Sequence, residues 1–231
     1  MKVLFVFPNL GWDPSPSIGI ATLSAVLKDK SHDARLIYLN ESIGITLNFK
    51  KIKGVIEDYQ PDLIGFSATT NQFSVALKIA QFIKRGMGSK IPILFGGIHM
   101  TLNPVETIGY DCIDMIVLGE GEEALSELVE KMQDNEDISK IKNLWLKGDD
   151  QIIKNDLRPY ISLGQLPFMD VDVMDYQKII DFRNGWVDLM LSRGCPKQCT
   201  YCFNGAYKDI YKTACKEPGI YIRVGDYHKT V

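Results

Sequence analysis

Nothing in this sequence approaches the ~20 consecutive apolar residues that a membrane-spanning helix needs. The apolar run that opens the chain stops at Pro8, too short for a secretory leader. No dense basic run is present either. The 26 Lys and Arg stand against 29 Asp and Glu, a formal net charge of -3, so the electrostatic footprint of a nucleic-acid binder is missing. No internal repeat or low-complexity tract appears. Histidine is scarce, three in 231 residues. The five cysteines are odd in number and mostly bunched, which excludes a secreted disulfide framework. What remains is a cytoplasmic chain of one large domain or two modest ones, in a compartment that keeps thiols reduced.

The most specific stretch runs from Leu191 to Asn204, Leu-Ser-Arg-Gly-Cys-Pro-Lys-Gln-Cys-Thr-Tyr-Cys-Phe-Asn. Cys195, Cys199 and Cys202 are separated there by three and then two residues. Gly194 and Pro196 interrupt regular structure at the first cysteine, leaving a short irregular loop on which several sulfurs can converge on one inorganic core. The preceding Trp186–Leu191 is apolar enough for a buried strand, which places the cysteines at a strand exit. Three thiolates on a four-iron cubane leave one iron open to bind a small molecule. The competing readings are thinner. A zinc site usually pairs two Cys-x-x-Cys units or adds histidines, but no second pair exists and only His228 is near. A disulfide leaves one thiol odd, and a redox pair of Cys199 and Cys202 leaves Cys195 idle.

Upstream, strands and helices alternate. Apolar runs predict strands at Val3–Phe7, Arg35–Leu39, Asp62–Ser67, Ile91–Phe95 and Asp114–Leu118. Helical spacing predicts helices at Ile18–Lys30, Phe49–Tyr59, Phe73–Arg85 and Glu123 to about Met132. This alternation implies an α/β fold, a doubly wound parallel sheet of five strands in the flavodoxin-like order 2-1-3-4-5. Ligands of such sheets sit at the carboxyl ends of the strands. The loops there are Asn9 to Ser17, Ser67 to Thr70, Gly96 to Thr101 and Gly119 to Glu122. Each alone reads as a tight turn, whereas four on one edge suggest a binding surface. His32 reads as surface, Cys112 as a small buried residue, and Cys215 carries no role. Glu120 and Glu122 read as helix-start acids favoured by the dipole rather than as catalysts. Leu144–Leu146 and Gln151–Ile153 predict a small hairpin, followed by an extended connector.

Two resemblances follow from these pieces. Residues 1–135 resemble the cobalamin-binding domain that precedes the radical domain in many radical S-adenosylmethionine enzymes. The matching pieces are Ser17-Ile-Gly-Ile-Ala-Thr-Leu23, Ser67-Ala-Thr69, Gly96-Gly-Ile-His99 with Pro104, and Gly119-Glu-Gly-Glu122. The resemblance implies cofactor contacts from Asn9, Ser17, Gly19, Ser67, Thr69, Gly96, Gly97, His99, Gly119 and Gly121. His99 reads equally as an ordinary loop residue. The Asp-x-His-x-x-Gly motif of many cobalamin proteins is absent from the first loop, so cobalamin is expected without a histidine lower ligand. A plain flavodoxin-like sheet holding a flavin or nucleotide is the rival there.

The Cys195–Cys202 spacing, with Tyr201 before the third cysteine, resembles the radical S-adenosylmethionine signature. That implies a four-iron four-sulfur (4Fe-4S) cluster whose open iron chelates S-adenosylmethionine, and reductive cleavage to a deoxyadenosyl radical. It also implies an external electron donor such as flavodoxin or ferredoxin. Methyl transfer to an unidentified small molecule is the commonest outcome in this family. Transfer-RNA methylthiotransferases carry three further amino-terminal cysteines, and this region offers only Cys112. Residues 136–182 are expected as a linker with the hairpin, and 183–231 as the start of a radical domain. A full (β/α) barrel takes roughly 250 residues, and 29 follow Cys202. The chain is therefore expected to hold the first strand and cluster loop of an incomplete barrel. The alternative to an enzyme is a truncated, non-catalytic fragment that binds cobalamin and a cluster.

Overall fold

The computed structural model describes residues 1–148 and 151–225; His228 and the tip of the expected hairpin, Asp149 and Asp150, lie outside the described residues. Five parallel strands form the centre: β1 (Lys2–Pro8), β2 (Asp33–Leu39), β3 (Leu63–Ser67), β4 (Ile93–Gly96) and β5 (Met115–Val117). They pair in the order β2-β1-β3-β4-β5, as the alternation predicts. In register, Val3 of β1 stands beside Ala34 of β2 and Leu63 of β3.

Because successive strand residues face opposite sides, each strand feeds two cores. Leu4 and Val6, Ile64 and Phe66, and Ile93 and Phe95 pack against α2 (Phe49–Tyr59) and α3 (Thr70–Gln81). Val3 and Phe5, Leu63, and Leu94 face the other way, toward α1 (Ile18–Asp29) and α6 (Glu122–Gln133). Continuous apolar strands are what a sheet covered on both faces requires.

Several features depart from the sequence-based expectation. The hairpin, β6 (Leu144–Lys147) and β7 (Ile152–Lys154), does not stand apart in the connector. It adds two antiparallel strands to β5, so the sheet has seven strands. Helix α3 begins at Thr70 rather than Phe73, because Gln72 Oε1 accepts the Thr69 N–H at 3.0 Å and caps the helix earlier. The loop expected from Gly96 to Thr101 contains a short helix, α4 (Ile98–Leu102), and α5 (Pro104–Ile108) follows it. His32 is buried rather than surface, with Nδ1 3.2 Å from the Met1 amino group.

The largest correction concerns Trp186–Leu191, expected as a buried strand. Beyond α7 (Tyr176–Phe182) this run is irregular, and Trp186 is 73% exposed. Among the described residues only the end of the run meets a neighbouring strand, the Leu191 carbonyl accepting from the Gly225 N–H at 2.8 Å. Among the described residues the ladder itself is β8 (Ser192–Arg193), antiparallel to β9 (Arg223–Val224). Between them lies a helix that the sequence reading did not anticipate, α8 (Phe203–Ala214). Its Tyr211 and Cys215 just beyond it are buried in the same core as Phe66 and Phe95. Among the described residues no helix is long and apolar enough to cross a membrane.

Candidate functional site

A cavity of about 510 Å³ opens where the parallel strands end. Phe5, Gly65, Leu94 and Val117 form its sheet side, while Met190, Gly194, Asn204 and Tyr221 bring the thiol-bearing segment to the opposite side. Of the ten residues expected to contact a cofactor, Gly19, Ser67, Gly96, Gly97, Gly119 and Gly121 line this cavity. Glycine is required at two of these positions by backbone shape. Gly97 has φ +105°, and a β-carbon there would come within 2.8 Å of the Ala68 carbonyl oxygen. Gly119 has φ +70°, and a β-carbon there would overlap the Tyr211 hydroxyl. Gly19 differs: a β-carbon would meet nothing within 4 Å, so its face is open space.

The other four are not among the lining residues and serve the frame. Asn9 is buried; its Nδ2 donates to the Asp13 carbonyl at 3.1 Å and the Tyr38 hydroxyl at 3.2 Å, and its Oδ1 accepts from Gln72 Nε2 at 3.2 Å. It ties the first loop to α3. Ser17 and Thr69 are the N-caps of α1 and α3. His99 is buried within α4, its ring stacked on Phe73 at a centroid distance of 4.1 Å and its Nδ1 3.2 Å from Thr70 Oγ1. Burial pushes its pKa below the ordinary imidazole value. No histidine lines the cavity among the described residues.

Glu120 is where sequence reasoning fell short. It is not a helix-start acid, since it precedes the Gly121 N-cap and its carboxylate is engaged elsewhere. Oε1 accepts from Arg193 Nη1 at 3.2 Å and Arg223 Nη2 at 2.7 Å. Oε2 accepts from Arg223 Nη1 at 2.8 Å and the Ile161 N–H at 2.8 Å. Burial raises the carboxyl pKa, but the Arg223 and Ile161 hydrogen bonds and the charges of both arginines outweigh it and hold the pKa below the carboxylate range. Glu122 does start α6, yet its Oε1 also accepts from Arg193 Nη2 at 2.5 Å. The Glu120 N–H donates to the Tyr211 hydroxyl at 3.0 Å, whose own pKa burial pushes up to about 12. Tyr211 stacks on Tyr160 at 4.0 Å, and Arg223 lies 4.8 Å over the Tyr160 ring. The signal for α8 was legible: Phe203, Tyr207, Ile210, Tyr211 and Ala214 recur at helical spacing.

All three motif cysteines are free, Cys199 exposed and Cys195 and Cys202 half-buried. Gly194, at φ +97°, presses against the Tyr221 backbone and fixes where the loop begins. The Cys202 N–H donates to the Cys199 carbonyl at 3.1 Å, closing a turn. Asn204 Nδ2 donates to Cys202 Sγ at 3.4 Å, and Tyr221 donates to Asn204 Oδ1 at 2.6 Å. Free thiols on a short loop suit a soft metal. Among the described residues, however, no three Cys, His, Asp or Glu side chains converge closely enough to hold a metal ion. The donor chemistry fits a cluster; the sulfurs are not gathered around one.

The B12 binding domain family matches residues 13–129. The chain is 28% identical over 211 residues to an uncharacterized methyltransferase of Pyrococcus horikoshii, covering 87% of this chain and 45% of that protein. It is 26% identical over 190 residues to the anaerobic magnesium-protoporphyrin IX monomethyl ester cyclase of a Synechocystis species, covering 81% of this chain and 38% of that protein. The chain thus spans less than half the length of either relative. Its fold is similar to that of the cobalamin-dependent S-adenosylmethionine radical enzyme OxsB with aqua-cobalamin and S-adenosylmethionine bound. The TM-score is 0.72 at 23% identity, over 87% of this chain and 28% of that one. The radical S-adenosylmethionine methyltransferase TsrM from Kitasatospora setae gives a TM-score of 0.69 at 19% identity, over 88% of this chain and 41% of that one.

Proposed function

The chain belongs to the B12-binding domain family, and from that premise we propose that it holds a cobalamin at the sheet edge and a 4Fe-4S cluster on Cys195, Cys199 and Cys202. The reaction we propose is radical S-adenosylmethionine chemistry, methyl transfer to an unidentified small molecule, with electrons from an external donor such as flavodoxin or ferredoxin. One observation carries this reading: a single cavity is bordered both by the glycine loops of the sheet and by Gly194 and Asn204, which flank the cysteines. Two cofactor stations facing one space are what a reaction shared between them requires.

Gly19, Ser67, Gly96, Gly97, Gly119 and Gly121 would line the corrinoid, which supplies a transferable methyl group when bound. Among the described residues no histidine lines the cavity, and the corrinoid is proposed without a histidine ligand. The three thiols would close on iron from an irregular loop, since metal sites are rarely preformed before the metal arrives. Phe203 and Tyr207 add aromatic surface to the same wall.

Titration with hydroxocobalamin is expected to shift the corrin spectrum. Gly19→Leu, whose β-carbon would meet nothing within 4 Å, is expected to raise Kd at least tenfold without lowering the unfolding midpoint. Anaerobic reconstitution with iron and sulfide is expected to give a brown species that Cys199→Ala loses. Unaltered spectra in both variants would reject both assignments. The second reading is a module that holds cofactors without turnover; this chain spans 45% of the Pyrococcus relative and 38% of the Synechocystis one. Incubation with S-adenosylmethionine and dithionite separates the two: deoxyadenosine forms only in the enzyme.

A further inference from the structure

Glu120 stands between two glycines of the cavity rim; its carbonyl accepts from Asn143 Nδ2 at 3.3 Å, yet every donor to its carboxylate comes from the connector or the thiol-bearing segment. Arg193 lies two residues before Cys195. Arg223 sits on β9, which pairs with the strand carrying Arg193. Ile161 belongs to the connector. The carboxylate is 10% exposed, and the two guanidinium side chains 16% and 11%. This is a buried, bidentate charge pair with an added main-chain donor, the kind whose geometry is fixed rather than fluctuating. The Glu120 N–H adds the bond to Tyr211, so the residue grips both ends of the segment, β8–β9 and α8. Neither apolar core of the sheet includes Glu120.

We propose that Glu120 is the positioning residue that seats the thiol segment on the cavity rim, so that the loop Gly119–Gly121 and the loop Cys195–Cys202 move as one body. The identity of the two ligands rests on the function proposed above, whereas the seating itself does not.

Two buried thiols report on it in the full chain without any cofactor. Cys215, 7% exposed, ends α8; Cys112, 3% exposed, lies beside β5. In Glu120→Gln, alkylation of Cys215 by iodoacetamide, followed by mass spectrometry, is expected to accelerate about tenfold, a shift of ~1.4 kcal/mol in local opening. Cys112 is expected to keep its wild-type rate, and Glu120→Asp, which retains the charge at shorter reach, to fall between. After reconstitution with iron and sulfide and reduction, Glu120→Gln is also expected to alter the electron paramagnetic resonance line shape. An unchanged Cys215 rate overturns the proposal. So does an equal acceleration at Cys112, which makes Glu120 a residue of the whole fold, and so does a wild-type line shape. If the wild-type chain takes up neither hydroxocobalamin nor iron, the functional reading fails while the labelling result stands.

Discussion

The sheet and the thiol segment are held by different physics. From β1 to α6 the chain buries apolar side chains on both faces of a continuous ladder, and little of that core depends on charge. From Trp186 to Leu191 the apolar side chains are exposed: Val187, Leu189, Met190 and Leu191 all face solvent. The segment beyond is attached through one buried carboxylate, two arginines and a stack of tyrosines, with Tyr211 and Cys215 of α8 reaching the apolar core. Non-directional burial makes a scaffold, while directional polar contacts fix the attitude of a part that must meet another at a set distance.

The contrast can be broken at its strong end first. Phe95→Ala removes a fully buried ring stacked 4.6 Å from Phe66, and an expected loss of about 3–5 kcal/mol would be read from denaturant unfolding by far-ultraviolet circular dichroism. A loss under 1 kcal/mol would mean the sheet is not the scaffold.

Acid probes the junction next. The folded pKa of Glu120 is depressed, facing Arg193, Arg223, Glu122 and the Tyr211 hydroxyl. Its contribution is therefore complete above the ordinary carboxylate pKa, ~4.3, and is lost as pH falls through the lower folded value. Ring-current-shifted proton resonances of Tyr160 and Tyr211 should hold from about pH 8 to 5 and collapse only below ~4. Collapse beginning near neutrality would assign the junction to another group.

Trp186→Ser is expected to do least, within about 0.5 kcal/mol in the same unfolding assay, since the ring is exposed. A larger loss would show that Trp186 itself anchors the segment.

The same contrast explains what the sequence made legible. The five strands were readable because each runs apolar without break, and their order followed from the alternation with helices. Of the six glycine and serine positions that line the cavity, Gly97 and Gly119 have a backbone that leaves few alternatives to glycine. Glu120 was not readable: its partners are 73 and 103 residues away, and an acid beside a helix start already has a local explanation. Trp186–Leu191 misled because an apolar run does not by itself say whether its side chains are covered, and here they are exposed. His99 followed a double glycine and suggested a rim residue, but stacking on Phe73 turned it into the core.

The ribbon of β6 and β7 has a consequence beyond filling out the sheet. Had the sheet stopped at β5, its outermost amides and carbonyls would form a free template for a strand from any other molecule. The ribbon occupies that template, and Lys154 Nζ stands 5.0 Å over the Trp145 ring at the new border. Two copies approaching side by side there would have to set lysine against lysine, which discourages runaway stacking at that border.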